Sequence, residues 1–325
     1  MSESRQILAD MANGLFSDLA GAGTEAGADF AAAWPRIEEA GFATLLIPEA
    51  QGGFGGDWGD AYTVMRAAGH HALCAPVAEA VIAHGLLAVC GIAPPAGLVT
   101  FAAPGTRVAY GRHAAAVVSV DGGVLALYGA DACRWDEGLN PAGEPSDAVT
   151  FTGAPLAKAP CTAEPVALGA FARVAQSAGA LEAAFTLTLD YVNTRVQFGK
   201  PLAKFQAVQQ AMAEMSVETA AVDASGQALA TAMDCGDYAL EIAAAKLRTN
   251  MAIERCFPSA HRLHGAIGFT MEYALQRHTR RMMGWRGEFG NDAYWGEKLG
   301  HMVAGLGGTG LWHELARRGD RLNAA

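Results

Sequence analysis

Two long apolar stretches with helical spacing, at about 166–194 and 206–234, are separated by a segment through which no helix can run. That segment reads Arg195-Val-Gln-Phe-Gly-Lys-Pro-Leu and is followed by Phe205-Gln206. Gly199 and Pro201 end the incoming helix, because proline has no N–H for the hydrogen-bond ladder and restricts the residue before it. Arg195 then falls near a helix C-terminus, where positive charge is favoured. Its guanidinium suits a phosphate or a carboxylate. On chemistry alone, the same segment is equally a helix–helix turn with a surface arginine.

The rest of the chain sorts by periodicity. Helical spacing marks 7–19, 61–68 and 75–89, the last with Pro76 near its start. The character changes between 94 and 165. Ala115-Ala-Ala-Val-Val-Ser-Val is followed by Asp121-Gly-Gly and then Val124-Leu-Ala-Leu-Tyr, a hairpin signal. Val149-Thr-Phe reads as a later strand. Further helices are expected at about 237–257, 272–283, 291–305 and 309–320, with Met212 and Met215 in the core. The expected fold is mainly α with a small β domain: an N-terminal helical domain at 1–93, a reduced β domain at 94–165 and a C-terminal helical bundle at 166–325.

Composition excludes several functions. A net charge of -10 and a pI of about 5.4 argue against nucleic-acid binding. They leave room for a local basic groove around an anionic ligand. The six cysteines form no C-x-x-C pair, so neither a zinc site nor a redox dithiol is expected, and no metal. The apolar run at 81–92 contains His84 and Gly85 and is too short for a membrane span. The polar start Met1-Ser-Glu-Ser-Arg has no leader pattern, so a cytoplasmic protein with reduced thiols is expected.

A second block, His264-Gly-Ala-Ile-Gly-Phe-Thr-Met-Glu-Tyr, reads as a glycine-rich bend entering a basic helix from Gln276 to Arg281. Glycines let backbone N–H groups approach an anion, and a helix start favours negative charge. In this order, the two blocks resemble the C-terminal half of the acyl-CoA dehydrogenase family, whose pattern is R-x-Q-F-G-x-P-L with F-Q, then Q-x-H-G-G-x-G-F. Ala40-Gly-Phe-Ala-Thr-Leu-Leu-Ile-Pro-Glu49, leading to Gly52-Gly-Phe-Gly55, resembles the family's first domain. The resemblance implies helices, then a small sheet, then a four-helix bundle that makes the subunit interface. It also implies an FAD-dependent α,β-desaturation of an acyl-CoA substrate, with electrons leaving to an electron-transfer acceptor.

The resemblance assigns residues one by one. Arg195 matches the arginine that contacts the FAD pyrophosphate of a neighbouring subunit, Phe198 the aromatic beside it, and Phe205 and Gln206 the F-Q pair. Gly265, Ile267 and Gly268 match the glycine bend. Arg262 replaces the family glutamine and Ala266 the second glycine. His264 is expected to be a packed bend residue, since no carboxylate is adjacent to orient it. The catalytic base of the family lies in the loop after the basic helix. An ungapped register puts Phe289 there, and a one-residue adjustment brings in Glu288. Glu288 is otherwise a solvated carboxylate paired with Arg286 or Arg281. Some family branches carry the base on the helix before Arg195, where Gly169 aligns. Trp285 and Trp295 flank the loop, as pocket lining or as core.

The middle of the chain departs most. The family's T-E-x-x-A-G-S-D-like stretch, which holds the flavin ring and the acyl-CoA, is absent from Leu98-Val-Thr-Phe-Ala-Ala-Pro-Gly-Thr-Arg107. Such shortened chains resemble subunits of heteromeric steroid-type acyl-CoA dehydrogenases. Three readings stay open: a self-sufficient dehydrogenase, a non-catalytic partner completing the FAD site of a longer homologue, and a flavin-free binding or structural protein. A homo- or hetero-oligomer, dimer or tetramer, is expected through the Ala-rich helices at 206–257.

Overall fold

The computed structural model describes residues 3–21 and 30–324, so Met1 and Ser2 of the polar start lie outside it. Among the described residues four α-helices come first: α1 (Glu3–Gly21), α2 (Phe30–Glu39), α3 (Trp58–His70) and α4 (Val77–Val89). A capping box starts α3. The Asp57 carboxylate accepts from the Asp60 N–H at 2.8 Å, and the Asp57 N–H donates to the Asp60 carboxylate at 3.2 Å. In α4 every residue from Val77 to Ala88 is buried. A helix without a polar face belongs in the middle of a core, and α4 packs between the N-terminal helices and the sheet.

Seven strands follow: β1 (Val99–Ala102), β2 (Val108–Ala109), β3 (Ala116–Asp121), β4 (Val124–Gly129), β5 (Cys133–Asp136), β6 (Ser146–Phe151) and β7 (Ala157–Pro160). They form two small sheets, ordered β1-β3-β4-β7 and β2-β6-β5. The expected hairpin is β3–β4, with Asp121 opposite Val124. Gly122 and Gly123 take φ of 55° and 80°, the two positive values a two-residue I′ turn requires.

The C-terminal helices are α5 (Pro165–Thr194), α6 (Gln206–Asp234), α7 (Ala239–His264), α8 (Leu275–Gly287) and α9 (Asp292–Ala324). Where α3 crosses α5, the backbones touch. A Cβ added at Gly69 would lie 1.9 Å from the Gln176 carbonyl oxygen, and one at Gly179 would lie 1.9 Å from that of Arg66. This crossing fastens the first helices to the last. The sequence reading ends a helix at 257, but α7 continues through Pro258 to His264. Pro258 removes one ladder bond, and the burial of Ala260, His261 and His264 beyond it offsets that loss. The two helices expected after 290 are one element broken at Gly307, where φ is 67° and ψ 169°. Between α5 and α6 the expected bare turn is a tiny hairpin of β8 (Val196–Gln197) and β9 (Lys200–Pro201). Among the described residues no helix is long and apolar enough to cross a membrane, and no cluster could hold a metal ion.

Candidate functional site

The two motif blocks meet at one end of the helical bundle. Tyr191, in the last turn of α5, stacks on His264 at the end of α7, with ring centroids 4.5 Å apart, and lies 6.2 Å from the Tyr273 ring. His264 is buried, with Nδ1 on the Ala260 carbonyl at 2.9 Å and Nε2 on the Tyr273 hydroxyl at 3.2 Å. Burial lowers its pKa. It is therefore a packed, neutral bend residue, as the sequence reading expects.

Around this joint the assigned cofactor residues form an open platform. Arg195 caps α5, its N–H bonded to Tyr191 O at 2.8 Å, while its side chain is exposed and meets no carboxylate among the described residues. Phe198 is 90% exposed and held at φ 52°, with Gly199 beside it at 80°. A bulky side chain in the left-handed region is strained, and the two-residue turn between β8 and β9 imposes that conformation. Phe205 meets Phe198 edge-on at 6.2 Å, and Lys200 lies over the Phe205 ring at 4.3 Å. Gln206 and Arg262 are exposed. Gly265 takes φ 65° with open space where a Cβ would stand, and Gly268 is buried against His264 and His261. Val196, Ile267, Phe269 and Met271 are exposed beside them. Guanidinium groups without carboxylate partners among the described residues, an open glycine and bare apolar rings have the chemistry to receive a diphosphate.

Glu288 sits elsewhere and is not solvated in the expected way. Its Oε2 accepts from Arg173 Nε at 2.6 Å. Arg173 also donates to Glu79 Oε1 at 2.6 Å and to Gln176 Oε1 at 2.5 Å. The expected partners are taken: Arg286 pairs with Glu254 and Asp292, and Arg281 with Glu144. The reason is the demand of Arg173, a fully buried cation in an apolar helix, which draws Glu288 inward. Burial opposes its charge, yet Glu79 and Glu288 more than reverse this and raise its pKa. Lys246 secures the same corner by donating to the Trp285 and Arg286 carbonyls at 3.1 Å each, capping the C-terminal end of α8. Burial pulls its pKa down to about 7.

The next residue decides the chemistry. Phe289 is buried at φ 53°, its ring stacked on Phe101 at 5.6 Å with Arg173 5.4 Å from its centroid. A Cβ added at Gly169 would lie 2.3 Å from the Phe289 ring. The two positions at which the resemblance puts a base, 169 and 289, are therefore one place in space, and an aromatic ring fills it. Trp295 donates its indole N–H to the Phe289 carbonyl at 2.9 Å, and both it and Trp285 are buried. The sequence reading passes over Arg173, Glu79 and Lys246. For Glu79 and Arg173 the signal is a single charge inside an otherwise apolar helical run, as in Val77-Ala-Glu-Ala-Val.

Residues 162–299 match the family model for the acyl-CoA dehydrogenase C-terminal domain. Acyl-CoA dehydrogenase IpdE2 of Mycobacterium tuberculosis is 28% identical over 258 residues, covering 76% of this chain and 78% of that protein. The fold matches a chain of the ChsE4-ChsE5 complex from Mycobacterium tuberculosis with a TM-score of 0.81 at 19% identity, over 94% of this chain and 98% of that one. It also matches the Tcur3481-Tcur3483 steroid ACAD with a TM-score of 0.84 at 22% identity, over 93% and 98%.

Proposed function

Starting from a chain that is acyl-CoA dehydrogenase-like in fold and carries that family's C-terminal domain, we propose that it is the partner subunit of a heteromeric FAD-dependent acyl-CoA dehydrogenase. In this reading a longer homologue supplies the base and holds the flavin ring, and this chain completes the cofactor site. FAD held there would supply the hydride acceptor for oxidation of an acyl-CoA, with an electron-transfer acceptor needed to reoxidise it. Arg195 and Arg262 would hold its diphosphate, with backbone approaching at Gly265, and Phe198 would pack against the neighbouring subunit.

One observation carries the proposal: the Phe289 ring fills the space of both family base positions. A general base must reach the proton it removes, and no carboxylate fits at that point in this chain. That two of the structural relatives are two-component complexes, one described as a steroid ACAD, supports a hetero-oligomer. The exposed, unpaired Arg195 and strained Phe198 favour a cofactor-completing surface over a flavin-free structural protein. Arg195→Ala tests this in the assembled complex. Losing one charge-assisted contact costs about 1.5–3 kcal/mol, roughly a 10- to 150-fold weaker flavin affinity. Unchanged affinity on titrating the apo complex with FAD would make Arg195 a turn residue only.

A further inference from the structure

Two of the six cysteines flank the β domain in sequence and meet in space. Cys90 is the C-cap of α4, just before β1, and Cys161 follows the last residue of β7. Strands β1 to β7 all lie between them in the chain. Two contacts close the gap: α4 packs on the sheet, and β7 pairs with β4, with Pro160 opposite Val124. The Cys161 N–H donates to the Gly123 carbonyl at 2.9 Å, so the β3–β4 turn fixes its backbone. Cys90 Sγ lies 3.7 Å from the Pro160 carbonyl oxygen and within hydrogen-bonding reach of the Cys161 thiol. Both thiols are free; Cys161 is buried and Cys90 is partly open to solvent. Burial pushes the Cys90 thiol up to about 11, with the Cys161 sulfur adding to the shift. The pair therefore rests as two thiols and needs an oxidant to react.

We propose that Cys90 and Cys161 are a redox-closed staple, joined as a disulfide when hydrogen peroxide reaches the open thiol. The Cys90 sulfur attacks the peroxide and breaks its O–O bond, giving a sulfenic acid and one water. The Cys161 sulfur then attacks the Cys90 sulfur, the S–S bond forms, and the sulfenic oxygen leaves as a second water. The two thiols together lose two electrons and two protons, and the peroxide takes them up. Sulfurs already in contact meet the requirement that the two side chains point at one another. The bond closes the β domain into a covalent loop of about 70 residues, which takes freedom from the unfolded chain and fastens the sheet to α4. A dithiol reductant reopens it by exchange.

Hydrogen peroxide treatment of the full chain tests the staple. Non-reducing peptide mapping should show a new link from Cys90 to Cys161. The oxidised chain should melt roughly 5 °C above the reduced one, and dithiothreitol should reverse both changes. Cys90→Ser should abolish the link and the shift, and its melting curve without peroxide verifies that it folds. Cys74 shares a tryptic peptide with Cys90, so Cys74→Ser should leave the link in place. Three results overturn the proposal: no link between Cys90 and Cys161 in the peroxide-treated chain, a link lost in Cys74→Ser, or a link that leaves the melting temperature unmoved.

Discussion

Glu288→Gln separates a structural carboxylate from a chemical one. Glu288 stands one residue before Phe289 and is the nearest loop carboxylate to the family's base position, so a self-sufficient enzyme would have to use it. In the structure its Oε2 is spent on Arg173 at 2.6 Å, and its side chain is 30% exposed. Glutamine keeps an oxygen for the same bond and removes only the charge, while Arg173 retains Glu79 and Gln176. The stability cost should be about 1 kcal/mol, the value of a charged hydrogen bond reduced for solvent screening. Arg173→Met is the contrast. It leaves two carboxylates without a counter-charge, one of them buried, and should cost about 3–5 kcal/mol. Urea unfolding reads both. Turnover of the heteromeric complex, followed by acyl-CoA-dependent dye reduction, should stay within about twofold in Glu288→Gln, against the roughly 10²–10⁴-fold loss that follows removal of a general base. A loss of that size with flavin content intact would make Glu288 the base.

Two further outcomes follow from packing and charge. Gly169→Ala places a methyl group 2.3 Å from the Phe289 ring and should destabilise by about 1–3 kcal/mol in urea unfolding; an unchanged midpoint would mean that the ring does not fill that space. Glu182 is held down to about 2 by hydrogen bonding to His70, with Arg66 also favouring its charge against the cost of burial. A carboxylate with a depressed folded pKa stabilises above its ordinary value of 4.5 and loses that contribution as pH falls toward 2. Glu182→Gln should therefore flatten the acid limb of the stability curve, and melting curves across that range verify it.

Much of the fold is legible because it rests on periodicity and punctuation. The β3–β4 hairpin announces itself as two apolar runs around Gly122-Gly123, and α6 starts at the Phe205-Gln206 pair. The end of α7 is not legible at Pro258, because burial of His261 and His264 is a tertiary effect that overrides a local breaker. The site divides the same way. The proposed cofactor residues Arg195, Phe198, Gly265 and Gly268 stand in local motifs, and the Tyr191–His264–Tyr273 contacts join the two motif blocks. The convergence of Gly169 and Phe289 is invisible in one dimension, since 120 positions of chain separate them. The pairing of Arg173 with Glu79 and Glu288 is equally non-local. A lone charge in an apolar helix signals that a partner is needed without saying which.

In the proposed assembly this chain completes a cofactor site without owning one. The most direct measurement is the visible spectrum and FAD content of the chain purified alone, beside the same chain purified with its longer homologue. Alone, the chain should be colourless and without dehydrogenase activity, and the complex should be yellow and active. A chain that is yellow by itself, carries FAD stoichiometrically and desaturates an acyl-CoA would contradict it.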